Sequence, residues 1–227
     1  MPQEVLALFA KQPVAGKVKT RLAADTSPQF AAEAATAFLL DLSKRLAVLP
    51  YGLFLVCDPP ESQDYFASQI DRRFTLTPQG KGNLGQRLSR FITSQFHAGV
   101  ERVVIVGTDS PTLPTTFIDE AFEELRKVDV VLGPAFDGGY YLLGCARRTP
   151  PIFDGISWGS RDVLTETIKR LGDPSWRLAL LPPWYDVDTL ADWRMLCGHL
   201  QAMRRAGVDP GVPATEQLAS RTMRIIN

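Results

Sequence analysis

Residues Val103 to Leu113 read Val-Val-Ile-Val-Gly-Thr-Asp-Ser-Pro-Thr-Leu. The first four are β-branched, which is typical of a strand buried on both faces in a parallel sheet covered by helices. Gly107 ends this run, and an acid, Asp109, comes shortly after it. In open parallel sheets, ligands bind beyond the carboxyl ends of the strands. The stretch therefore predicts an α/β fold and indicates which loops carry its site.

The same kind of apolar run recurs along the chain and alternates with segments of helical period. Strands are predicted at Val5–Ala10, Leu53–Cys57, Val103–Val106, Val130–Leu132 and Tyr140–Leu143, and more weakly at Phe74–Thr77 and Leu178–Leu181. Helices are predicted from Pro28 to Leu49, Leu84 to Phe96, Phe117 to Val128, Leu164 to Leu171, Leu190 to Met203 and Ala214 to Arg224. This alternation predicts right-handed crossovers and one Rossmann-like α/β domain over residues 1–227. Its sheet is expected to be mostly parallel, with helices on both faces.

The overall composition limits the classes of partner. The 227 residues carry 25 Lys plus Arg and 25 Asp plus Glu, so bulk charge gives no reason to expect nucleic acid or an anionic membrane as partner. The three cysteines (Cys57, Cys145 and Cys197) are widely spaced, which favours reduced thiols. The apolar run Val5–Ala10 is too short for a membrane span or signal core. We therefore expect a cytoplasmic protein whose phosphate binding, if any, is local.

The loop after the first strand, Lys11 to Leu22, is unusually basic. Its four cations accompany a possible turn at Gly16: Lys11, Lys17, Lys19 and Arg21. Cations and backbone N–H groups placed after a buried strand suit a di- or triphosphate. The loop is not a P-loop, because Lys17 is followed by Val18. A solvated basic loop is the alternative interpretation.

Carboxylates in two later loops indicate a divalent cation. Asp109 follows a buried strand, where a single acid suits a Mg²⁺ ion whose other ligands are phosphate oxygens and water. The alternative is that Asp109 caps a turn. Asp188, directly before a predicted helix, is either a second metal ligand or, with Thr189, part of a helix N-cap.

Two glycine-containing loops add further candidates. Asp137 precedes Gly138 and Gly139, where a backbone can approach a ligand closely, and it could act as a general base. Asp-Gly is equally a common hairpin signal. The loop Gln79–Arg87 combines glycines with amides that suit a base edge, and Arg87 would face a phosphate or acceptor. A flexible loop leading into a capped helix is the alternative there.

Taken together, these motifs resemble a known family. Four of them occur in order: Lys11-x-Pro-x-x-Gly16-x-x-Lys19-Thr20-Arg21-Leu22, Gly107-Thr108-Asp109-Ser110-Pro111-x-Leu113, Asp137 to Gly144 and Asp186-Val187-Asp188-Thr189. The combination resembles bacterial glycosyltransferase-like proteins of the arsenosugar-biosynthesis type, and it extends from Lys11 to about Trp193. That family is similar in fold to 2-phospho-L-lactate guanylyltransferase and molybdenum cofactor guanylyltransferase.

The resemblance implies a GT-A, or nucleotide-diphospho-sugar transferase, fold and a role for each matching residue. Asp109 and Asp188 would hold Mg²⁺ or Mn²⁺, and Asp137 would be the base. Lys19 and Arg21 would also stabilise the leaving phosphate. The implied nucleotide contacts are Lys11, Gly16, Lys19, Thr20, Arg21, Gln79, Gly85, Arg87 and Thr108. The implied acceptor contacts are Gly138, Gly139, Tyr140 and Trp158, although Trp158 could simply be a packing residue.

One departure leaves two activities open. Metal-dependent GT-A glycosyltransferases mostly carry Asp-x-Asp, whereas position 111 here is proline. The single acid Asp109 is more similar to the nucleotidyltransferases. We expect a transfer of a sugar from a nucleotide sugar to a small acceptor. The alternative is a nucleotidyl transfer from a nucleoside triphosphate to a phosphorylated acceptor, with release of pyrophosphate. A non-catalytic nucleotide-binding module is a third possibility, and the sequence predicts no oligomeric state.

Overall fold

The computed structural model describes residues 2–226, with side chains through residue 222. Seven strands form one sheet: β1 (Glu4–Lys11), β2 (Gly52–Asp58), β3 (Thr75–Pro78), β4 (Arg102–Val106), β5 (Val130–Pro134), β6 (Tyr140–Ala146) and β7 (Leu178–Leu180). Their order is β3-β2-β1-β4-β6-β5-β7. Only the β6 pairings, to β4 and β5, are antiparallel among these strands. The predicted mostly parallel sheet is confirmed, and each predicted strand is present.

Eight α-helices accompany the sheet in the described chain, six of them between strands and two after β7. They are α1 (Thr20–Asp25), α2 (Pro28–Ala47), α3 (Gln63–Gln69), α4 (Leu84–His97), α5 (Thr115–Glu124), α6 (Val163–Leu171), α7 (Leu190–Arg205) and α8 (Pro213–Ile226). Six match the predicted helices, and the short α1 and α3 were not predicted. Ser27 accepts a hydrogen bond from the Phe30 amide and so caps α2, as the Ser-Pro pair indicated.

The register of the central strands determines where the loops meet. Leu8 of β1 pairs with Val106 of β4 on one side and with Leu55 of β2 on the other. All three strands are parallel, so the loops that follow them leave from the same edge of the sheet. The basic loop after β1 and the Asp109 loop after β4 therefore lie next to each other.

The single antiparallel strand comes from a hairpin. β5 and β6 pair directly, with Pro134 opposite Tyr140, and Asp137 and Gly138 lie in the turn between them. Gly138 has a φ of +95°, a conformation that strongly favours glycine. The Asp-Gly hairpin signal is thus confirmed, and it places Asp137 at the sheet edge that also carries Asp109.

Helices cover both faces of the sheet, as predicted. Leu39 of α2 and Phe122 of α5 pack on one face, whereas Leu88 and Ile92 of α4 pack on the other. A third cluster is mainly helical and joins four helices through Leu22, Phe38, Trp193 and Leu218. No helix of the described residues is both long and apolar enough to cross a membrane.

Candidate functional site

Two loops at the carboxyl edge of the sheet are linked by hydrogen bonds along their length. The Val187 amide donates to the Asp109 carbonyl at 2.9 Å. The Ser110 hydroxyl donates to the Asp186 carboxylate, and the hydroxyls of Thr112 and Tyr185 lie 2.6 Å apart. These links bring the Asp109 loop, which follows β4, against the segment that precedes α7. Residues 79 positions apart in the sequence, Asp109 and Asp188, thereby enter one site.

Lys19 lies between these two carboxylates. Its Nζ is 2.5 Å from Asp109 Oδ1 and 3.7 Å from Asp188 Oδ1, and it donates to the Val187 carbonyl at 2.8 Å. The side chain is only 4% exposed and its ammonium lies 4.9 Å from the centre of the Phe38 ring. The ammonium is therefore a nearly buried cation held by two acids, a carbonyl and an aromatic face.

The rest of the basic loop is more exposed. Arg21 Nη1 lies 3.8 Å from Asp188 Oδ2, and the Arg21 side chain is 60% exposed. Gly16 has a φ of +78°, so the turn predicted there is present. Lys11 and Thr20 are exposed on either side of that turn. A ligand at this edge would meet Lys19 and Arg21 beside the acids, with Lys11 and Thr20 open to solvent.

A third acid, Asp186, was assigned no role from the sequence. Burial raises the pKa of Asp186 to about 7, assisted by the negative charges of Asp109, Asp137 and Asp188, whereas the Ser110 hydrogen bond acts in the opposite direction. Burial and the charge of Asp109 likewise raise the pKa of Asp188, although Lys19 and Arg21 oppose the rise. Four carboxyl groups thus lie close together, and Lys19 and Arg21 offset part of their negative charge.

The donor set fits a hard divalent cation. The Lys19 ammonium contacts both Asp109 and Asp188, so a cation already lies where their oxygens converge. Mg²⁺ needs only one or two protein carboxylates when phosphate oxygens and water complete its shell. No group of three His, Cys, Asp or Glu residues in the described chain is arranged to hold a metal by itself. The arrangement therefore suits a metal that arrives with phosphate.

A cavity of about 330 Å³ lies beside the acids. Its acidic rim consists of Asp109, Asp137, Asp186 and Asp188. Its apolar and aromatic wall includes Phe9, Leu84, Leu88, Ile105, Tyr140, Leu143, Trp158 and Val163. Among the predicted acceptor residues, Gly139, Tyr140 and Trp158 line the cavity. Gly138 instead packs closely against the Arg161 carbonyl.

A second cavity, of about 520 Å³, adjoins the first. The two share Asp137, Gly159, Ser160, Asp186 and Asp188. Arg21 and Arg161 line only the second one. The acids therefore separate an apolar compartment from a compartment that carries two guanidinium groups.

The loop from Gln79 to Arg87 is held by its own contacts. The side-chain Nε2 of Gln79 donates to the Val56 carbonyl at 3.1 Å, and Arg87 pairs with Asp58 at 3.1 Å and donates to Gln79 Oε1. A Cβ at Gly85 would lie 2.3 Å from the Phe153 carbonyl, so glycine allows α4 to pack tightly there. These contacts stabilise the loop, and the nucleotide-binding roles of its residues stay predictions. Thr108 is half-buried between β4 and Asp109.

Sequence reasoning missed the residues that join the acids to each other. Asp186 stood inside the quoted motif Asp186-Val187-Asp188-Thr189 but was not distinguished from its neighbours. The backbone carbonyl of Val187 accepts a hydrogen bond from Lys19, and no side-chain pattern indicates a contact of this kind. Thr189 caps α7 through a reciprocal pair with Asp192, so the predicted cap is present and Asp188 remains available to the site.

The sheet order and the hairpin strand β6, with Asp109 after β4, define an α/β fold of the nucleotide-diphospho-sugar transferase class. Comparison with protein families then gives a more specific assignment. Residues 42–160 match the family described as "Uncharacterized protein conserved in bacteria (DUF2064)". The chain belongs to that family. None of the curated proteins compared with the chain gives a match.

Several solved structures are similar to the chain. One is a "putative nucleotide-diphospho-sugar transferase" from Desulfovibrio desulfuricans G20, with 31% identity and a TM-score of 0.85 over 97% of this chain and 98% of that one. The inositol-1-phosphate CTP transferase from T. maritima has 15% identity and a TM-score of 0.53 over 91% and 97% of the two chains. CMP:2-keto-3-deoxy-manno-octonic acid synthetase in complex with CTP has 11% identity and a TM-score of 0.54 over 88% of this chain and 99% of that one. The last two similarities show the fold alone.

Proposed function

We propose that this protein is a glycosyltransferase that moves a sugar from a nucleoside diphosphate sugar to a small acceptor, with Mg²⁺ or Mn²⁺. The observation that carries the proposal is the convergence of Asp109, Asp188 and Lys19 at the edge of the sheet, with Arg21 beside them. Paired carboxylates next to two cations suit a diphosphate that arrives with a divalent ion. The fold and the 31% identical relative support the same class of donor.

Each residue then has a chemical task. Asp109 and Asp188 would hold the metal, which when bound neutralises charge on the diphosphate. Lys19 and Arg21 would donate to phosphate oxygens as negative charge develops on the leaving group. The acceptor oxygen forms a bond to the anomeric carbon while the bond from that carbon to the diphosphate oxygen breaks. Asp137 would take the proton of the acceptor hydroxyl.

The position of Asp137 is compatible with that task. It is exposed in the hairpin turn and lines both cavities beside the other acids. Its Oδ1 accepts a hydrogen bond from the Gly139 amide at 2.8 Å, which orients the carboxylate. An oriented and accessible carboxylate can accept a proton from a hydroxyl bound in the first cavity.

Pro111 favours a second candidate, nucleotidyl transfer, because it removes the second acid of Asp-x-Asp. In that reaction a phosphate oxygen of the acceptor attacks the α-phosphate of a nucleoside triphosphate, and pyrophosphate leaves. An acceptor phosphate is already ionised at neutral pH, so no general base is needed. The metal and the basic loop would have the same tasks in both reactions.

A donor screen tests the proposal. UDP-glucose and GDP-mannose, compared with UTP and GTP, are added with and without Mn²⁺ while thermal unfolding is followed. Ligand at about a hundred times its Kd adds roughly 2.7 kcal/mol of stability, which is easily detected. We expect a nucleotide sugar to protect best and only with metal.

Asp109→Ala should abolish this metal-dependent protection, because it removes a hard anionic ligand. Asp154→Ala changes an exposed aspartate outside both cavities and should leave it unchanged. Metal dependence that persists in Asp109→Ala would contradict the assigned site. Better protection by triphosphates, with pyrophosphate formed from a triphosphate and a phosphorylated acceptor, would establish nucleotidyl transfer instead.

A further inference from the structure

The first cavity differs sharply in charge from the basic loop beside it. Among the described residues, those that line this cavity include four aspartates and no lysine, arginine or histidine. Lys19 is held by Asp109, Asp188 and the Val187 carbonyl, and Arg21 and Arg161 line only the adjoining cavity. The cationic side chains of the site thus lie outside this cavity. A second phosphate, placed in the first cavity, would meet four carboxyl groups and no cationic side chain.

The wall of this cavity suits an uncharged ring. Phe9, Tyr140 and Trp158 contribute aromatic surface, and Leu88 and Val163 contribute aliphatic surface. Tyr140 and Trp158 meet edge to face, with ring centres 6.4 Å apart. A volume of about 330 Å³ is near the lower end of the roughly 300–1,000 Å³ found for small-molecule sites. The cavity therefore has room for a small ligand with an apolar face.

The same wall also carries hydrogen-bond donors. Burial raises the pKa of Tyr140, whereas an interaction of its hydroxyl with the Thr167 side chain acts in the opposite direction, so this hydroxyl keeps its proton and lies close to α6. Trp158 Nε1 is buried and has no hydrogen-bond partner among the described residues. Buried donors of this kind normally have a partner. A neutral oxygen acceptor on a ligand is one group that would supply it after a small side-chain shift.

We propose that the first cavity is the acceptor subsite and that it selects an uncharged hydroxyl compound with an apolar face, such as a phenol or a sugar ring, against phosphorylated acceptors. This inference rests on the proposed glycosyl transfer, since it assigns the acceptor of that reaction. The hydroxyl lies toward the acidic rim at Asp137, and the apolar face lies against Tyr140 and Trp158.

The test compares alcohols with their own phosphate esters. Binding of 2-phenylethanol and of phenethyl phosphate, and of glucose and of glucose 6-phosphate, is measured by calorimetry. Each titration is made with the protein alone and with UDP and Mn²⁺ present. We expect the neutral member of at least one pair to bind about tenfold more tightly, because its phosphate ester meets four carboxyl groups and no cationic side chain in the cavity.

Adding a positive charge inside or outside the cavity makes the test specific to the cavity. Leu84→Lys adds a cation at a half-exposed position that lines the cavity, and it should improve binding of the phosphate esters about tenfold. Ile168→Lys adds the same charge at a similarly exposed position on α6, outside the cavity, and should not. Trp158→Phe keeps the aromatic face, loses the Nε1 donor and should weaken the neutral ligands.

The outcomes separate this inference from the function on which it rests. Phosphate esters that bind wild-type protein as well as the alcohols, or pairs of which neither member binds, would overturn the acceptor assignment. Equal effects of Leu84→Lys and Ile168→Lys would also overturn it. Failure of UDP and Mn²⁺ to bind, while the alcohols still bind selectively to the protein alone, would contradict the proposed function and leave the selectivity of the cavity established.

Discussion

At Lys19 the backbone has a φ of +43°, a conformation that few residues other than glycine adopt. Such conformations cost roughly 1–3 kcal/mol and occur often at functional sites. Here the residue before α1 takes that conformation, and its ammonium reaches both Asp109 and Asp188. The backbone strain is therefore associated with the contact between Lys19 and the two acids.

Replacement of Lys19 by methionine separates the two roles of its ammonium. Lys19→Met should increase the affinity for Mn²⁺ alone about tenfold or more, because the two carboxylates lose their internal cation. It should weaken binding of a nucleoside diphosphate with metal by about ten- to a hundredfold, since a charge-assisted hydrogen bond is worth roughly 1.5–3 kcal/mol. Calorimetric titration measures both. Unchanged Mn²⁺ affinity would show that the metal binds elsewhere, and Lys17→Met, in the exposed part of the loop, is the control.

At the residue scale, the sequence identified which residues belong to the site, but it did not identify which of them contact each other. Lys19, Asp109 and Asp188 stood out because they follow apolar runs or precede a helix. Their convergence depends on backbone bonds such as that from Val187 to the Asp109 carbonyl. Such bonds involve no particular side chain, so a single sequence does not reveal them. The pKa of Asp186 depends on the same convergence and was equally hidden.

At the scale of the elements, α4 shows how tightly one helix is fixed against the cavity wall. Its first turn is held by a reciprocal cap between Asn83 and Gln86. Gly85, two residues after Asn83, lies so close to Phe153 and Trp158 that a Cβ there would force these neighbours to move. The sequence suggested that Gly85 contacts a nucleotide base. The structure adds a packing reason for glycine at the same position.

The same substitution should have opposite effects on two helices. Gly85→Ala should destabilise the protein by about 1–3 kcal/mol, because the new methyl group meets the Phe153 carbonyl. Gly198→Ala, in α7, should stabilise it by about 0.5–1 kcal/mol, because that position is open and alanine is the better helix former. Urea denaturation measures both free energies of unfolding. Similar effects of the two changes would contradict the close packing of α4.

The length and regularity of the hydrophobic pattern decided which helices and strands could be predicted from the sequence. Long stripes such as that of α2 and continuous apolar runs such as β1 were visible, because they bury one face or both faces. The six residues of α1 and the seven of α3 are too short to show a full helical period. They are stabilised mainly by tertiary contacts, such as those of Leu22 and Phe66 with the cores.

For the whole molecule, alternation of strands and helices predicted the layers but not the strand order. The antiparallel placement of β6 between β4 and β5 follows from a short hairpin, which the Asp-Gly pair indicated only as one possibility. The third cluster could not be predicted from the sequence either, since it packs helices from the two ends of the chain together. Contacts between segments so distant in sequence are not contained in any local pattern.

A buried acid joins those two ends and allows stability to be changed without altering the site. Asp41 of α2 is fully buried and accepts hydrogen bonds from the amides of Ala214 and Thr215 in the first turn of α8, at 3.0 and 2.8 Å. An acid at a helix N-terminus satisfies free amides and interacts favourably with the helix dipole. Since all the site residues precede α8, this link should stabilise the fold and have little direct effect on ligands.

Asp41→Asn should therefore lower the free energy of unfolding by about 1.5–3 kcal/mol, because an amide has one acceptor oxygen and turns its N–H groups toward those of α8. Glu33→Gln removes a charge from the same helix, where Glu33 pairs with Arg221 at the surface, and should change stability by less than about 1 kcal/mol. Urea denaturation measures stability, and titration with a nucleoside diphosphate and Mn²⁺ measures affinity. The Asp41 variant should keep its affinity within about threefold, because that factor corresponds to only about 0.7 kcal/mol. A loss of affinity without a loss of stability would show instead that Asp41 acts on the site.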